Sequence, residues 1–230
     1  MERQYDRFKD APWFSKEKIY CVVGGAGGIS SWLTLFLARA GFMPMVYDFD
    51  FLEEHNLGGQ LFPKSGIGQP KVDVLRDVVK QFADTAITVF NQRFQEDSMA
   101  HNIMFSGFDN MDARKVMFTK WLDYNQKIAG KEKEQSIFID GRLLAEQMQI
   151  FCVRGTDQAA IDEYYKEYLF PDSDVPDAPC TFKQTSHAAA MIAGFMTSFF
   201  TNHIANVMSH TQSRQVPLYT EYFIPLNMLT

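Results

Sequence analysis

The residues best suited to chemistry in this chain lie between positions 18 and 71. The run KIYCVVGGAGGIS sets four glycines, Gly24, Gly25, Gly27 and Gly28, between an apolar strand and the start of a helix. Bare backbone at such a junction lets phosphates approach main-chain amides at the positively polarised end of a helix. The next apolar run, MPMVYDFD, ends in Asp48 and Asp50. Asp48 stands about one mononucleotide unit beyond the turn, where a carboxylate can hold ribose hydroxyls, so the pair of motifs points to a nucleotide. Asp50 also fits a plain turn role. A glycine-rich turn occurs in many oxidoreductases and sometimes serves only close packing, so these residues alone leave an NAD-dependent dehydrogenase open.

The order of motifs beyond the turn narrows the choice. His55-Asn56-Leu57-Gly58-Gly59-Gln60 is followed by Gly68-Gln69-Pro70-Lys71, and later by Phe108-Asp109-Asn110-Met111-Asp112-Ala113-Arg114. The series resembles the ThiF/MoeB/HesA superfamily, the ubiquitin-activating-type adenylating enzymes, whose members carry G-x-G-G-x-G, D-x-D, N-L-x-R-Q, G-x-x-K and D-N-x-x-x-R in this order. The resemblance covers roughly residues 3–205. It implies an ATP-dependent adenylyltransferase that activates the C-terminal carboxylate of a small ubiquitin-like or sulfur-carrier protein. By the same resemblance Gly25, Gly27 and Gly28 cradle phosphates, Asp48 binds ribose, and Asn56 and Lys71 contact phosphates. Asp50, Gln60 and Asn110 complete the nucleotide-binding motifs, and Asp109 matches the magnesium-associated aspartate. Gln4-Tyr5-Asp6-Arg7-Phe8 is similar to the family's R-Y-x-R-Q, which makes Arg7 the arginine delivered across a homodimer to the partner's ATP. Cys180 lies where thioester-forming members carry their cysteine.

Each residue also has a plainer reading. Lys71 would serve equally as a solvated first-turn lysine, Asp109-Asn110 as a helix cap, and Arg114 as half of a structural ion pair. His55 and His187 lack metal-ligand spacing. Cys21 and Cys152 sit in apolar strand patterns and read as core. Around Cys180 the sequence looks like a remnant of the family's paired C-x-x-C pattern, and one thiolate cannot make a four-coordinate structural site, so no zinc is expected.

Two departures from the family pattern bear on activity. Ser30 replaces the last fingerprint glycine. Gly59 stands where N-L-x-R-Q carries a phosphate-gripping arginine, for which Lys64 or a partner's Arg7 would have to compensate. That loss supports an alternative function, a noncatalytic nucleotide-binding regulatory or scaffold subunit of a heteromeric activating enzyme.

The elements that must position these residues alternate along the chain. Apolar periodicity predicts strands near 18–24, 43–48, 86–91, 102–107, 136–140 and 147–153, and helices near 28–40, 70–83, 111–126, 158–167 and 187–208. The expected fold is α/β, a Rossmann-like doubly wound, mostly parallel sheet with antiparallel later strands. Residues 1–230 read as one domain, with the nucleotide-binding part at about 16–130 and a crossover loop at about 169–186. The tail QVPLYTEYFIPLNM is read as late strands that receive the protein substrate or build the dimer. A net charge of −6 with no basic run disfavours a nucleic-acid partner. The apolar stretch 188–200 is too short to span a membrane, the first residues are too charged for a signal peptide, and three widely spaced cysteines suit a reducing cytoplasm.

Overall fold

A computed structural model describes residues 3–171, 184–209 and 213–230. Eight strands form one mixed sheet: β1 (Tyr20–Gly24), β2 (Met43–Asp48), β3 (Thr88–Asn91), β4 (Ile103–Ser106), β5 (Ile137–Leu144), β6 (Gln147–Arg154), β7 (Tyr219–Phe223) and β8 (Met228–Leu229). Their spatial order is β3-β2-β1-β4-β5-β6-β7-β8. The first five strands pair in parallel and the last three add antiparallel. The six strands expected from the sequence are present. β5 ends four residues later than expected, because its partner β6 follows after two residues and the pair zips from Ile137↔Arg154 to Leu144↔Gln147. The tail supplies β7 and β8, with β7 paired to β6 of its own chain.

Helices α1 (Gly28–Arg39), α2 (Lys71–Ala83), α3 (Met111–Asn125), α4 (Gly130–Glu134), α5 (Gln158–Glu163) and α6 (Ser186–Met208) flank the sheet. Short and wholly polar, α4 left no apolar period to find. Side chains alternate across each strand, so Cys21, Val23, Phe105 and Ile139 pack with α1 and α6 on one face, and Val22, Met104, Phe138 and Trp121 pack on the other. Both faces are therefore covered, which is why the strands read as continuous apolar runs. Cys21 and Cys152 are buried free thiols, and burial pushes both far above the ordinary cysteine range. α6 carries the stretch 188–200 and packs on α1 and β5. No helix among the described residues is long and apolar enough to cross a membrane.

α6 also buries His203, and burial pulls its pKa down to about 4 against the opposing influence of the Gln135 and Glu134 backbone. The ordinary value is 6.5, so as pH falls through that value the unfolded chain takes up a proton that the folded chain refuses. Stability is thus expected to decline from about pH 6.5 to 4, by roughly 3 kcal/mol from this group. Urea unfolding against pH checks this: the His203→Leu variant should show a flatter profile in that window.

Candidate functional site

The strand order reverses at β1, which has β2 on one side and β4 on the other. Open α/β sheets place ligands at the C-terminal strand ends beside such a switch point. Here that position brings the glycine turn after β1 beside the segment that leads from β4 to Asp109. The Gly107 amide donates to the Gly24 carbonyl (3.1 Å), and the Gly25 amide donates to Tyr47 of β2 (2.8 Å). Gly25 adopts φ +85°, a left-handed conformation that favours glycine. A side chain on Gly24 would strike the Phe108 ring, so this glycine serves packing. Gly27 differs: a Cβ there would meet nothing within 4 Å among the described residues. No packing among those residues requires a glycine at 27, and they leave open space at that point of the turn.

Ser30 is accommodated by a neighbour. Its hydroxyl donates to the Gly24 carbonyl (3.0 Å), and Gly107 leaves the space it occupies, since a Cβ at 107 would overlap Ser30 Oγ. Gly107→Ala is expected to turn that hydroxyl away and cost about 1 kcal/mol through the lost hydrogen bond. Denaturant unfolding should show the loss, with Ser30→Gly in the same chain relieving the clash.

Asp48, Asp50 and Lys71 form one connected unit. Asp48 accepts the Ala26 amide of the turn on Oδ2 (2.6 Å) and the Asp50 amide on Oδ1 (2.7 Å). Burial pushes its carboxyl above the usual range, against those two amides and the Lys71 ammonium. Lys71 Nζ meets Asp50 Oδ2 at 2.9 Å, its amide bonds the Asp50 carbonyl (2.9 Å), and its side chain is only 8% exposed. The solvated reading of Lys71 is thereby corrected. The reason lies in the chain path: Gly68, at φ +84°, lets the segment 68–70 fold back on Phe51 and Leu52, so that α2 begins against Asp50. Asp50 is accordingly more than a turn residue.

Asn56 and Gln60 are both buried. Asn56 Oδ1 accepts the Glu53 amide (2.9 Å) in a reciprocal cap, and the Gln60 amide bonds the Asn56 carbonyl (3.0 Å). Gln60 Oε1 is a buried acceptor with no protein partner among the described residues. The Gly59 carbonyl accepts from Trp32 Nε1 of α1 (3.3 Å), and Ser31 Oγ accepts the Leu61 amide (3.0 Å), so this loop is tied to the helix that starts at the turn. Lys64 lies exposed and pairs only loosely with Glu54 (3.9 Å).

Asp109 and Asn110 stand exposed at the start of α3. Asn110 Oδ1 accepts the Ala113 amide (2.8 Å), which makes it the helix cap, and its Nδ2 donates to Asp109 (3.3 Å). Arg114 is buried beneath them and bonds Asp140, the Gly141 carbonyl and the Phe108 carbonyl. Its role is the structural one. Asp140, fully buried, also binds Arg142 Nε (2.8 Å) and the Tyr164 hydroxyl (2.9 Å). Burial alone would raise the Asp140 carboxyl, but Arg114 and Arg142 outweigh it and hold it below the usual range. This network was missed in the sequence, although an aspartate closing the apolar run IFID is a signal of a paired buried charge.

The sequence matches the ThiF family over residues 2–225. The chain belongs to the ThiF family. Several solved structures share the fold of this ThiF-family chain. PaaA matches with TM-score 0.68 at 15% identity, over 92% of this chain and 62% of PaaA. Escherichia coli MccB, solved with ATP, matches with TM-score 0.68 at 13% identity, over 100% of this chain and 70% of MccB. Escherichia coli TcdA, the tRNA N6-threonylcarbamoyladenosine dehydratase, solved with ATP, matches with TM-score 0.65 at 14% identity, over 91% of this chain and 95% of TcdA. No curated protein matches the sequence. The chain thus spans less than two thirds of PaaA.

Of the residues expected at the site of this ThiF-family chain, the turn glycines, Asp48, Asp50, Asn56, Gln60, Lys71, Asp109 and Asn110 gather around the C-terminal ends of β1, β2 and β4. Arg7 does not join them. Its neighbours Tyr5 and Phe8 pack with Phe14 and Trp13 against Gly41 and Phe42, at the opposite end of β2, and Arg7 itself is exposed there. Cys180 lies outside the described residues. Among those residues no group of three or more His, Cys, Asp or Glu is arranged to hold a metal.

Proposed function

We propose that this chain is an ATP-dependent adenylyltransferase that joins AMP to the C-terminal carboxylate of a small ubiquitin-like or sulfur-carrier protein. The observation that carries the reading is the meeting of the open glycine turn, the Asp48–Asp50–Lys71 unit and Asp109 at one switch point of the sheet. The family membership supports it, as do two structural neighbours solved with ATP and the solution of MccB with MccA.

In this reading the turn amides at Gly27 and Gly28 receive phosphate oxygens at the start of α1. Asp48, already fixed by the Ala26 amide, holds the ribose with its remaining lone pairs, so the turn and the sugar anchor are set by one side chain. Lys71, held against Asp50, and the amide of Asn56 draw the phosphates so that the α-phosphorus faces the incoming carboxylate. A carboxylate oxygen attacks that phosphorus, the bond to the bridging oxygen of the β-phosphate breaks, and pyrophosphate leaves. The site residues fit magnesium in the way nucleotide enzymes bind it, through a lone carboxylate supplemented by phosphate and water, with Asp109 as that carboxylate. Such an ion would neutralise charge on the departing pyrophosphate. Arg7, remote from its own site, suits delivery to a second copy in a homodimer, and Cys180 suits a later thioester.

A second reading, a noncatalytic subunit of a heteromeric activating enzyme, is favoured by Gly59, which offers no cation to the phosphates. Trapping separates the two. The purified chain is incubated with magnesium, ATP and candidate carriers ending in Gly-Gly, and hydroxylamine is added. Conversion of one carrier to its C-terminal hydroxamate, dependent on ATP, supports the adenylyltransferase. ATP binding without hydroxamate for any carrier favours the noncatalytic subunit.

A further inference from the structure

Gln184, the residue that precedes the Thr185 cap of α6, has no place in the motifs around the turn, yet its side chain lies among them. A Cβ on Gly28, the first residue of α1, would overlap the Gln184 carboxamide oxygen, with the amide carbon and nitrogen next nearest. A Cβ on Gly59 would lie 2.9 Å from Gln184 Cγ and 3.2 Å from its amide nitrogen. One side chain therefore fills the space that two glycines leave between the start of α1 and the Gly59 loop. Gln184 stands one residue before the Thr185 cap of α6, a helix that packs along α1 through Ala188 and Ile192, both fully buried, and whose cap accepts the Ala188 amide.

We propose that Gln184 contacts the nucleotide phosphates and supplies the side-chain donor that the Gly59 loop lacks. The inference rests on the reading of the turn as a phosphate cradle. A carboxamide carries two N–H donors and an oxygen, so a turn of its terminal torsion exchanges which of them faces the start of α1. The carboxamide oxygen is the Gln184 atom nearest the positively polarised start of α1. With a phosphate on the turn amides, the Nε2 donors face the phosphate oxygens. Because the group is neutral, it adds hydrogen bonds without the charge of an arginine, which fits a site already holding the Lys71 ammonium beside Asp48 and Asp50.

The test compares binding of magnesium-ATP and of adenosine to the full chain by calorimetry, in the wild type, Gln184→Ala and Gln184→Glu. Gln184→Ala should weaken ATP by about ten- to a hundredfold, the usual effect of a lost hydrogen bond to a charged group, and leave adenosine unchanged. Gln184→Glu should weaken ATP further, because a carboxylate both repels phosphate and removes the donors. A merely structural role would move the two ligands together, and matching melting temperatures would confirm that the variants fold. Unchanged or tighter ATP binding in Gln184→Ala would overturn the proposal, the tighter result marking Gln184 as an obstruction, with the phosphate-cradle reading left standing. A wild type that binds adenosine and ATP equally poorly would sink that reading and this inference together.

Discussion

Lys71→Ala is expected to slow adenylation by about a hundred- to a thousandfold while leaving the chain folded, on the scale of other lost donors to developing charge in a dry site. The size follows from where the ammonium is held. Lys71 is nearly buried, fixed on Asp50 at 2.9 Å, and close enough to Asp48 to lower that carboxyl's pKa. On the proposed function, removing it would take a cation from the phosphates; it also leaves two neighbouring carboxylates without their counter-charge, so Asp48 shifts further toward its neutral form. Lys71→Arg keeps the charge but not the compact fit, and should recover part of the rate. Steady-state turnover with thermal melting measures both effects. A rate within threefold of wild type in Lys71→Ala would restrict Lys71 to pairing Asp50.

The largest effect on stability is expected at Asp140. Its carboxylate is the common acceptor for Arg114, Arg142 and the Tyr164 hydroxyl, all in a fully buried position at the end of β5. Asp140→Ala leaves the buried Arg114 guanidinium, and the partly buried one of Arg142, without their carboxylate, and removing one partner of a buried ion pair typically costs about 3–5 kcal/mol. Guanidinium unfolding should show a loss in that range. Arg114 also bonds the Phe108 carbonyl, one residue before Asp109, so the same substitution is expected to loosen the start of α3. A loss under about 1 kcal/mol would mean that the arginines find other partners. Replacing Arg142 alone should be milder, because Arg114 still neutralises Asp140 and Arg142 is the less buried of the two, 13% exposed against 6%.

The sequence carried the fold where local signals agreed with tertiary packing. Gly25 takes a left-handed turn, the strands beside it are continuous apolar runs covered on both faces, and β2 ends at Asp48 as its apolar run does. The same logic placed α1, α2 and α3 within a residue or two of their positions. What stayed hidden depends on contacts between distant segments. Lys71 reads as an exposed helix opener until the Gly68 turn brings it against Asp50, 21 residues earlier. Arg114, Asp140 and Tyr164 meet only once α3, β5 and the π-helical turn at Tyr164–Tyr168 are packed together. Gln184, a polar residue just before the α6 cap, carries no pattern at all, and only its close approach to Gly28 and Gly59 shows where its side chain goes. Ser30 illustrates the reverse case: a departure from the family pattern is absorbed by Gly107, 77 residues away, which no local motif records.

On the proposed function, the residues gathered at the β1–β4 switch point transfer AMP to a carboxylate. ATP–pyrophosphate exchange measures that transfer, using the purified chain, magnesium, labelled pyrophosphate and carrier proteins ending in Gly-Gly, beside the Asp109→Ala variant. Exchange that requires one carrier and vanishes in Asp109→Ala is the predicted result. Exchange that persists undiminished in Asp109→Ala, or its absence with every carrier although ATP is bound, would contradict the assignment.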